Sequence, residues 1–401
     1  MLEGIEDSIL ETFRKLLKSD LKEAFDFALA KESLPLIRLA REAGADINHV
    51  QGGITHLHYA VLREDESQIR LLSEANASID FPDRQGRSAL QMAFTSSPVI
   101  AKALLEFTAD IHIEERQVIK QLGKEINPLS MSLICAQTRK RKQYQFTATV
   151  LPEYQVEAYL DLIKNIRGPI EEYVMIKSSN HWWAVKIKIE NNEIKLLLLD
   201  SIFEGKLQIR HMDFLRAVKI QFSDPQLHYS VYLNDRARQH NGYNCSSFTL
   251  MDIKDLHKMD RYLPEKYAGD IFEYCAKNNT GQCNEEGWVL NLCQIPLRMM
   301  RASQTDELIS KWLPAYSLDE QNHPINQRRE TALMSAAQDI KIVEDPVSGE
   351  SKFFNERASR KFTKVIRRTL LYLRDSQMPQ ISEEIEKFTL VGLKKRVLGQ
   401  N

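Results

Sequence analysis

The sequence predicts a multidomain protein made of an α-helical repeat solenoid, an α+β domain and a helical C-terminal region. A chain of 401 residues is longer than one compact domain usually is, so separate cores are expected. A short pattern near the N-terminus recurs every 32 residues, which is typical of stacked repeats. From about residue 151, strand and helix patterns alternate. We therefore predict repeats over 1–125, a linker over 126–150, the α+β domain over 151–300 and the helical region over 301–401.

The N-terminal repeat has two recognisable halves. Similar tetrapeptides occupy 45–48, 77–80 and 109–112, and matching helix starts follow at 55–60 and 88–93. The helix starts resemble the T-P-L-H-x-A segment of the ankyrin repeat, although neither copy keeps its proline. A Thr or Ser at the first position of each helix start can cap the helix that follows.

The ankyrin resemblance implies that this part of the chain recruits another protein, here one of a host cell. The hairpins that precede the helix starts are the expected contact surface. The candidate partner-binding residues are His49, Val50, Gln51, Asp83, Arg84 and Gln85.

The overall composition argues against several other functions. Lys and Arg number 54 and Asp and Glu 55, so with a net charge of -1 we expect no direct binding to nucleic acid. No stretch approaches the roughly 18 apolar residues of a membrane span, so none is expected. Five cysteines without a C-x-x-C pair predict reduced thiols rather than a disulfide framework, and we expect no metal site.

A β-hairpin in the α+β domain carries a candidate base and a carboxylate. Apolar and polar residues alternate from Trp183 to Ile189, and a second apolar strand ends at Asp200. If Asn191 and Asn192 form a two-residue turn, Asp200 lies opposite Trp183, on the same face as His181. Diagonal neighbours of this kind are close enough for a carboxylate to meet an imidazole.

A candidate nucleophile, Cys245, follows a polar turn and begins a predicted helix. A helix N-terminus and a neighbouring imidazolium both stabilise a thiolate. The alternative is that Cys245 and His181 are ordinary core residues, which is the commoner fate of an isolated Cys or His.

The spacing of these residues resembles the clan of cysteine enzymes that contains Ulp-type ubiquitin-like proteases, adenoviral protease and YopJ-like acetyltransferases. The shared pattern is His181-Trp182, then Asp200, then Gln239 six residues before Cys245. The resemblance implies that His181 is the general base, Asp200 its orienting group, Gln239 an oxyanion donor and Cys245 the nucleophile. Asn244-Cys245-Ser246 stands where the Ulp branch has Asp-Cys-Gly, which favours the YopJ-like branch.

The resemblance implies acyl-thioester chemistry on Cys245, with two outcomes left open. Attack by water gives a peptidase or isopeptidase, whereas attack by a substrate Ser, Thr or Lys gives an acetyltransferase that uses acetyl-CoA. The alternative from another class is a non-catalytic scaffold whose protease-like domain only binds proteins.

The C-terminal region offers two further features. A predicted helix at about 355–374 carries a row of basic residues, which is either a solvated face or, as the YopJ-like resemblance implies, a site for an inositol polyphosphate activator. An acidic block at 382–386 resembles the C-terminal signal of type IV secreted effectors. Taken with the ankyrin resemblance, it predicts a bacterial virulence effector, made in the bacterial cytoplasm and acting in the host cytosol or nucleus.

Overall fold

The computed structural model describes residues 5–108, 111, 125–141, 146–166, 168–203, 207–239, 244–285, 287–304, 313–324, 328–344 and 351–398. The chain forms two compact units. The first comprises residues 1–117 with 370–378, and the second comprises residues 118–369 with 379–401.

The first unit is built from short helices that pack in pairs. The α2 and α3 helices pack together, as do α4 with α5 and α6 with α7, while α4 also packs on α6 and α5 on α7. Successive pairs therefore stack, and their shared core contains the buried side chains of Leu57, Ala60, Leu90 and Ala93. The helices are α1 (Asp7–Ser19), α2 (Leu21–Ala30), α3 (Leu34–Glu42), α4 (His56–Leu62), α5 (Glu66–Glu74), α6 (Ala89–Ser96) and α7 (Pro98–Leu105).

The two predicted helix starts are confirmed by their caps. The hydroxyl of Thr55 accepts the backbone N–H of His58, and that of Ser88 accepts the N–H of Gln91 at 3.2 Å. In both cases the third helical residue returns a side-chain bond to the cap backbone, which completes a capping box. Of the tetrapeptide at 109–112, only Ile111 is among the described residues.

Lys102 on α7 is a buried cation of the first unit. Its ammonium donates to the carbonyl oxygens of Leu373 at 3.3 Å and Arg374 at 3.2 Å. Residues 370–378 thus supply the polar partners that a buried ammonium requires.

The second unit contains a seven-stranded mixed sheet with strand order β1-β2-β3-β4-β5-β7-β6. The β1–β2, β4–β5 and β5–β7 pairs are parallel, and the remaining neighbours are antiparallel. The strands are β1 (Thr149–Pro152), β2 (Ile170–Ser178), β3 (His181–Glu190), β4 (Glu193–Leu199), β5 (His228–Asn234), β6 (Asn279–Glu285) and β7 (Trp288–Cys293).

Helices cover the sheet and complete its cores. One apolar core unites β2 to β5 and β7 with α9 and α10, and it includes the buried side chains of Trp183, Phe214 and Leu215. The helices of this unit are α8 (Pro128–Arg141), α9 (Val156–Lys164), α10 (Ile209–Gln221), α11 (Cys245–Leu256), α12 (Met259–Tyr262), α13 (Ile271–Lys277) and α14 (Leu297–Met300).

The segment predicted as a linker differs from the prediction. Within 126–150 the structure has the helix α8, in which Met131, Leu133 and Ile134 are buried. Ile126 anchors the segment, because its carbonyl accepts bonds from Lys177 at 2.7 Å and from the Trp182 indole at 3.2 Å. The linker prediction rests on the basic run at 139–142. The described residues of this run form the last turn of α8.

Over its described residues, the C-terminal region is helical as predicted, except for one antiparallel strand pair. The β8 strand (Ile340–Glu344) pairs with β9 (Ser351–Asn355), and the helix predicted at about 355–374 is observed at Arg357–Asp375. The remaining elements are α15 (Leu318–Asn322), α16 (Ala332–Ala337), α17 (Arg357–Asp375), α18 (Met378–Glu386) and α19 (Leu390–Leu398). Among the described residues, no helix is both long enough and apolar enough to cross a membrane.

Candidate active site

The hairpin of β3 and β4 has the register that the sequence predicts. Asn191 and Asn192 both have positive φ, as a tight two-residue turn requires, and Ala184 pairs with Leu199. This register carries His181 to the start of β3 and Asp200 to the residue after β4. Nε2 of His181 lies 2.8 Å from Oδ1 of Asp200, so the predicted contact of imidazole and carboxylate is present.

The Asp200 carboxylate is buried and receives several donors besides His181. The backbone N–H of Ile202 reaches Oδ1 at 3.0 Å, and Oδ2 meets Arg210 Nη2 at 2.5 Å and His211 Nε2 at 3.0 Å. Arg210 and His211 open the helix α10, which packs on the same face of the sheet. A buried charge persists only when it is paired in this way.

These contacts shift the pKa values of both groups. Burial opposes ionisation of Asp200, but hydrogen bonds from His181 and His211 and the charges of His181 and Arg210 hold its pKa well below the usual range. Burial likewise opposes protonation of His181, but hydrogen bonds with Asp200 and Cys245, and their charges, raise its pKa to about 9. The imidazole is therefore held in its protonated form at neutral pH.

Cys245 is the first residue of α11, and its side chain is buried. Its sulfur hydrogen-bonds with His181 and lies 3.9 Å from the carbonyl oxygen of Asn180, on the turn before β3. Burial lowers the pKa of Lys177 on β2. The charge of the nearby Cys245 side chain partly offsets this lowering. The thiol, the imidazole and the carboxylate thus form one continuous chain of contacts.

Gln239 is buried beside this chain. Its Oε1 accepts the hydroxyl of Ser201 at 2.7 Å, and its backbone N–H donates to the carbonyl of Ser201 at 2.9 Å. Because Oε1 is held by a donor, the amide NH2 is the end that can donate elsewhere. Residues 240–243, between Gln239 and α11, lie outside the described residues.

A basic pocket of about 390 Å³ lies along α11 and α17 in the second unit. Asp255 lines the pocket and accepts hydrogen bonds from Arg298 at 3.1 Å and from Arg301 at 2.9 Å. Of the described residues that line the pocket, one is acidic and nine are cationic. The nine are Arg141, Lys254, Lys258, Arg298, Arg301, Arg357, Lys361, Lys364 and Arg368.

The crowding of these cations shows in their pKa values. Burial and the charges of Arg357, Arg360 and Lys364 lower the pKa of Lys361 to about 8. Burial, with a smaller contribution from the like charge of Arg301, lowers the pKa of Arg357 to about 10. The lowered pKa values mean that the charged forms of these side chains are destabilised in the pocket. A bound polyanion would stabilise the charged forms.

The six candidate partner-binding residues of the first unit are not equivalent. Val50, Gln51, Arg84 and Gln85 are exposed at the hairpins. The Asp83 carboxylate is used within its own loop, where it accepts the N–H groups of Gln85 and Arg87. His49 turns inward toward His56, and their ring centroids lie 5.0 Å apart.

The sequence analysis missed the residues that support Asp200. Arg210 and His211 follow it by ten and eleven residues, and no motif marks them. Asn234, at the end of β5, accepts the N–H of Asp200 at 2.9 Å and donates to its carbonyl at the same distance. Only the packing of α10 and β5 around the hairpin reveals these three positions.

A thiol, an imidazole and a carboxylate at the ends of inner strands of a mixed, helix-covered sheet define a protein of the cysteine-protease-like class. Within that class, the family model described as YopJ Serine/Threonine acetyltransferase matches residues 102–368. The chain therefore belongs to the YopJ serine/threonine acetyltransferase family, which is a family of acyl-transferring enzymes. No curated protein matches the sequence.

Several solved structures are similar to this chain. A deletion variant of AvrA, described with IP6 and CoA, is 13% identical with a TM-score of 0.45, covering 64% of this chain and 94% of that one. HopZ1a in complex with IP6 and CoA is 10% identical with a TM-score of 0.46, covering 72% and 94%. HopZ1a in complex with IP6 is 9% identical with a TM-score of 0.47, covering 71% and 96%.

Proposed function

We propose that this protein transfers an acetyl group from acetyl-CoA, through a thioester on Cys245, to a hydroxyl or amine of a host protein. The observation that carries the proposal is the contact chain from Asp200 through His181 to Cys245. Such a chain supplies a nucleophile, a proton carrier and a group that orients the carrier.

In the first half-reaction, the Cys245 thiolate attacks the thioester carbonyl of acetyl-CoA. The bond from the acetyl carbon to the CoA sulfur breaks as the bond to Cys245 forms. The leaving CoA thiolate takes its proton from the His181 imidazolium, so His181 becomes neutral. Asp200 holds the ring in place in both states, because its Oδ1 contacts Nε2 of the ring.

In the second half-reaction, neutral His181 removes the proton of the accepting Ser, Thr or Lys side chain. The acceptor attacks the acetyl carbonyl, and the Cys245 thiolate leaves, which restores the starting ion pair. Water as the acceptor gives hydrolysis instead, so the identity of the second nucleophile separates transfer from a peptidase reaction.

The developing oxyanion of each step needs donors. We propose that the amide NH2 of Gln239 and the backbone N–H of Cys245 fill this role. The bond from Ser201 to Gln239 Oε1 supports the first assignment, because it orients the amide. The position of Cys245 at the first turn of α11 supports the second, because N–H groups there have no partner within the helix.

We further propose that an inositol polyphosphate binds the basic pocket and activates the enzyme. The nine cations and the lowered pKa of Lys361 support a polyanionic ligand there. The pocket is joined to the nucleophile by direct bonds between α11 and α17: Asn244 donates to Ser359 at 3.1 Å, and Ser247 donates to the carbonyl of Ala358 at 2.8 Å. A ligand that fixes α17 would thereby fix the helix that begins with Cys245.

We propose that the first unit acts as an ankyrin-like recruiting surface for the host protein. Its stacked helix pairs, its capping boxes and the exposed hairpin residues Val50, Gln51, Arg84 and Gln85 support this role. We also retain the proposal of a type IV secreted bacterial effector that acts in the host cytosol or nucleus.

Intact-mass measurement tests the proposed chemistry. The full-length protein is incubated with acetyl-CoA, with and without inositol hexakisphosphate, beside Cys245→Ala and the matched thiol control Cys283→Ala. We expect one acetyl adduct on the wild type and on the control, strengthened by the polyphosphate, and none on Cys245→Ala. A folded wild type that forms no adduct, or an adduct that survives Cys245→Ala, would favour the non-catalytic scaffold.

A further inference from the structure

Three potential metal ligands converge in the first unit, remote in sequence from the cysteine site. They are Asp26 on α2, His49 on the hairpin before α4, and His56 at the first position of α4. One oxygen and two imidazole nitrogens from these residues all lie within 4.8 Å of one another. Each comes from a different local element, so the cluster exists only because the helix pairs stack.

The three donor atoms are buried and unsatisfied by hydrogen bonds. Asp26 Oδ1, His49 Nε2 and His56 Nε2 are each inaccessible to solvent, and none has a hydrogen-bond partner of acceptable geometry. His56 Nε2 and Asp26 Oδ1 approach to 2.9 Å, yet their relative orientation does not make a hydrogen bond. Three orphaned polar atoms within 4.8 Å of one another are costly unless something binds there.

A simple ion pair between His56 and Asp26 explains the cluster poorly, because it leaves the buried Nε2 of His49 without a hydrogen-bond partner. Phe25 packs on both imidazoles, with centroids 6.3 Å and 5.4 Å away, and gives the site an apolar wall.

We propose that Asp26, His49 and His56 form a binding site for a divalent transition-metal ion, with Zn²⁺ as the best match. Two imidazole nitrogens and one carboxylate oxygen are ligands that zinc takes at about 2.0–2.2 Å. Three such ligands around one ion lie about 3.4 Å apart, so small rotations of the side chains would close the site. The fourth tetrahedral position remains for water.

The proposed ion would hold the first hairpin in place. It would join α2, the residues just before Val50 and Gln51, and the start of α4. His56 stands where the ankyrin motif has proline, so the departure from the motif supplies a ligand. Binding would fix the backbone next to two exposed residues of the proposed recruiting surface.

The metal content of full-length variants tests the proposal. All proteins carry Cys245→Ala, so that the thiolate of the cysteine site contributes no zinc binding. They are equilibrated with Zn²⁺ against a weak chelator, and bound zinc per chain is measured by mass spectrometry. We expect one bound zinc in this background and none at the same free zinc after His49→Ala or His56→Pro.

His56→Pro separates loss of the ligand from loss of the fold. Proline is favoured at the first position of a helix, and Thr55 before it already has the extended backbone that proline requires. We therefore expect His56→Pro to fold, with a metal-free Tm at or above that of the background protein. Zinc should raise the Tm of the background protein and leave that of the variant unchanged.

Three further measurements complete the design. His228→Ala, which removes an exposed histidine on β5, should bind zinc as the background protein does. The loss of affinity in His49→Ala should exceed the about 10- to 100-fold typical of removing a residue that merely supports a ligand. Bound Co²⁺ should show visible bands of nitrogen and oxygen ligation without a thiolate charge-transfer band. Equal zinc content in the background protein and His56→Pro, or a cobalt spectrum dominated by thiolate, would overturn the proposal.

Discussion

At the scale of single residues, Asp200 connects the two ends of the candidate site. Its Oδ1 faces His181 and its Oδ2 faces Arg210 and His211, so one buried carboxylate holds two histidines at once. Trp183 packs edge-on against His211, with centroids 5.2 Å apart, which fixes the second histidine. The carboxylate is thus positioned by both the sheet and α10.

Asp200→Asn tests the orienting role. The amide keeps the shape of the side chain but loses the charge that favours the imidazolium, so we expect acetyl transfer to fall by about 10³- to 10⁴-fold. Asp213→Asn is the matched control, because Asp213 is an exposed carboxylate on α10 that pairs with Arg216. The measurement is the initial rate of adduct formation, and a loss of less than about tenfold would remove Asp200 from the mechanism.

The raised pKa of His181 predicts a pH dependence of stability. An imidazole whose pKa is about 9 in the folded protein and about 6.5 in the unfolded chain stabilises the fold fully below pH about 6.5. That contribution declines as the pH rises and is lost above about 9. Urea unfolding of the wild type and His181→Gln across this range should show a difference in unfolding free energy that shrinks with pH. A constant difference would contradict the raised pKa.

At the scale of secondary-structure elements, α11 and α17 carry both the nucleophile and much of the basic pocket. Because the pKa of Lys361 is about 8 when folded and about 10.5 when unfolded, its charge destabilises the ligand-free protein at neutral pH. The contribution of Lys361 to the free energy of unfolding should therefore rise between pH about 8 and 10.5 in the absence of a polyanion.

Lys361→Met tests this account of the pocket. We expect the variant to be more stable than the wild type without ligand at pH 7, and to gain less Tm on addition of inositol hexakisphosphate. Arg367→Met is the control, because Arg367 lies on the same helix but does not line the pocket. If both variants respond to the polyphosphate as the wild type does, Lys361 does not contribute to the site.

The elements that sequence reasoning predicts well are those set by local patterns. Alternation and the Asn-Asn turn determine the β3–β4 register, and a single register fixes the His181–Asp200 contact. The sequence predicts a linker where α8 lies, because the charged end of this helix resembles a loop. The burial of α8 depends on Ile126 and on strands that are distant in sequence. The sequence does not predict the cluster of Asp26, His49 and His56, because these residues come together only through packing between separate elements.

At the scale of the whole molecule, the proposed recruiting hairpins and the candidate active site belong to separate compact units. The double change Val50→Asp with Arg84→Glu alters only exposed residues of the first unit. We expect it to abolish acetylation of host proteins in cell extract while the acetyl adduct on Cys245 still forms. The opposite variant, Cys245→Ala, should lose both activities. If the double variant still modifies host proteins at the wild-type rate, these hairpins are not the recruiting surface.

The partners of Lys102 have a consequence for the order in which the protein matures. The first unit takes its final segment from residues 370–378, about 250 residues after the rest of it has been made. At a synthesis rate of about 5–20 residues per second, that interval is on the order of 10–50 s. Throughout it the Lys102 ammonium has neither Leu373 nor Arg374 to bind. The N-terminal unit is therefore the first to be synthesised and among the last to be completed, and a ribosome stalled before residue 370 would hold it unfinished.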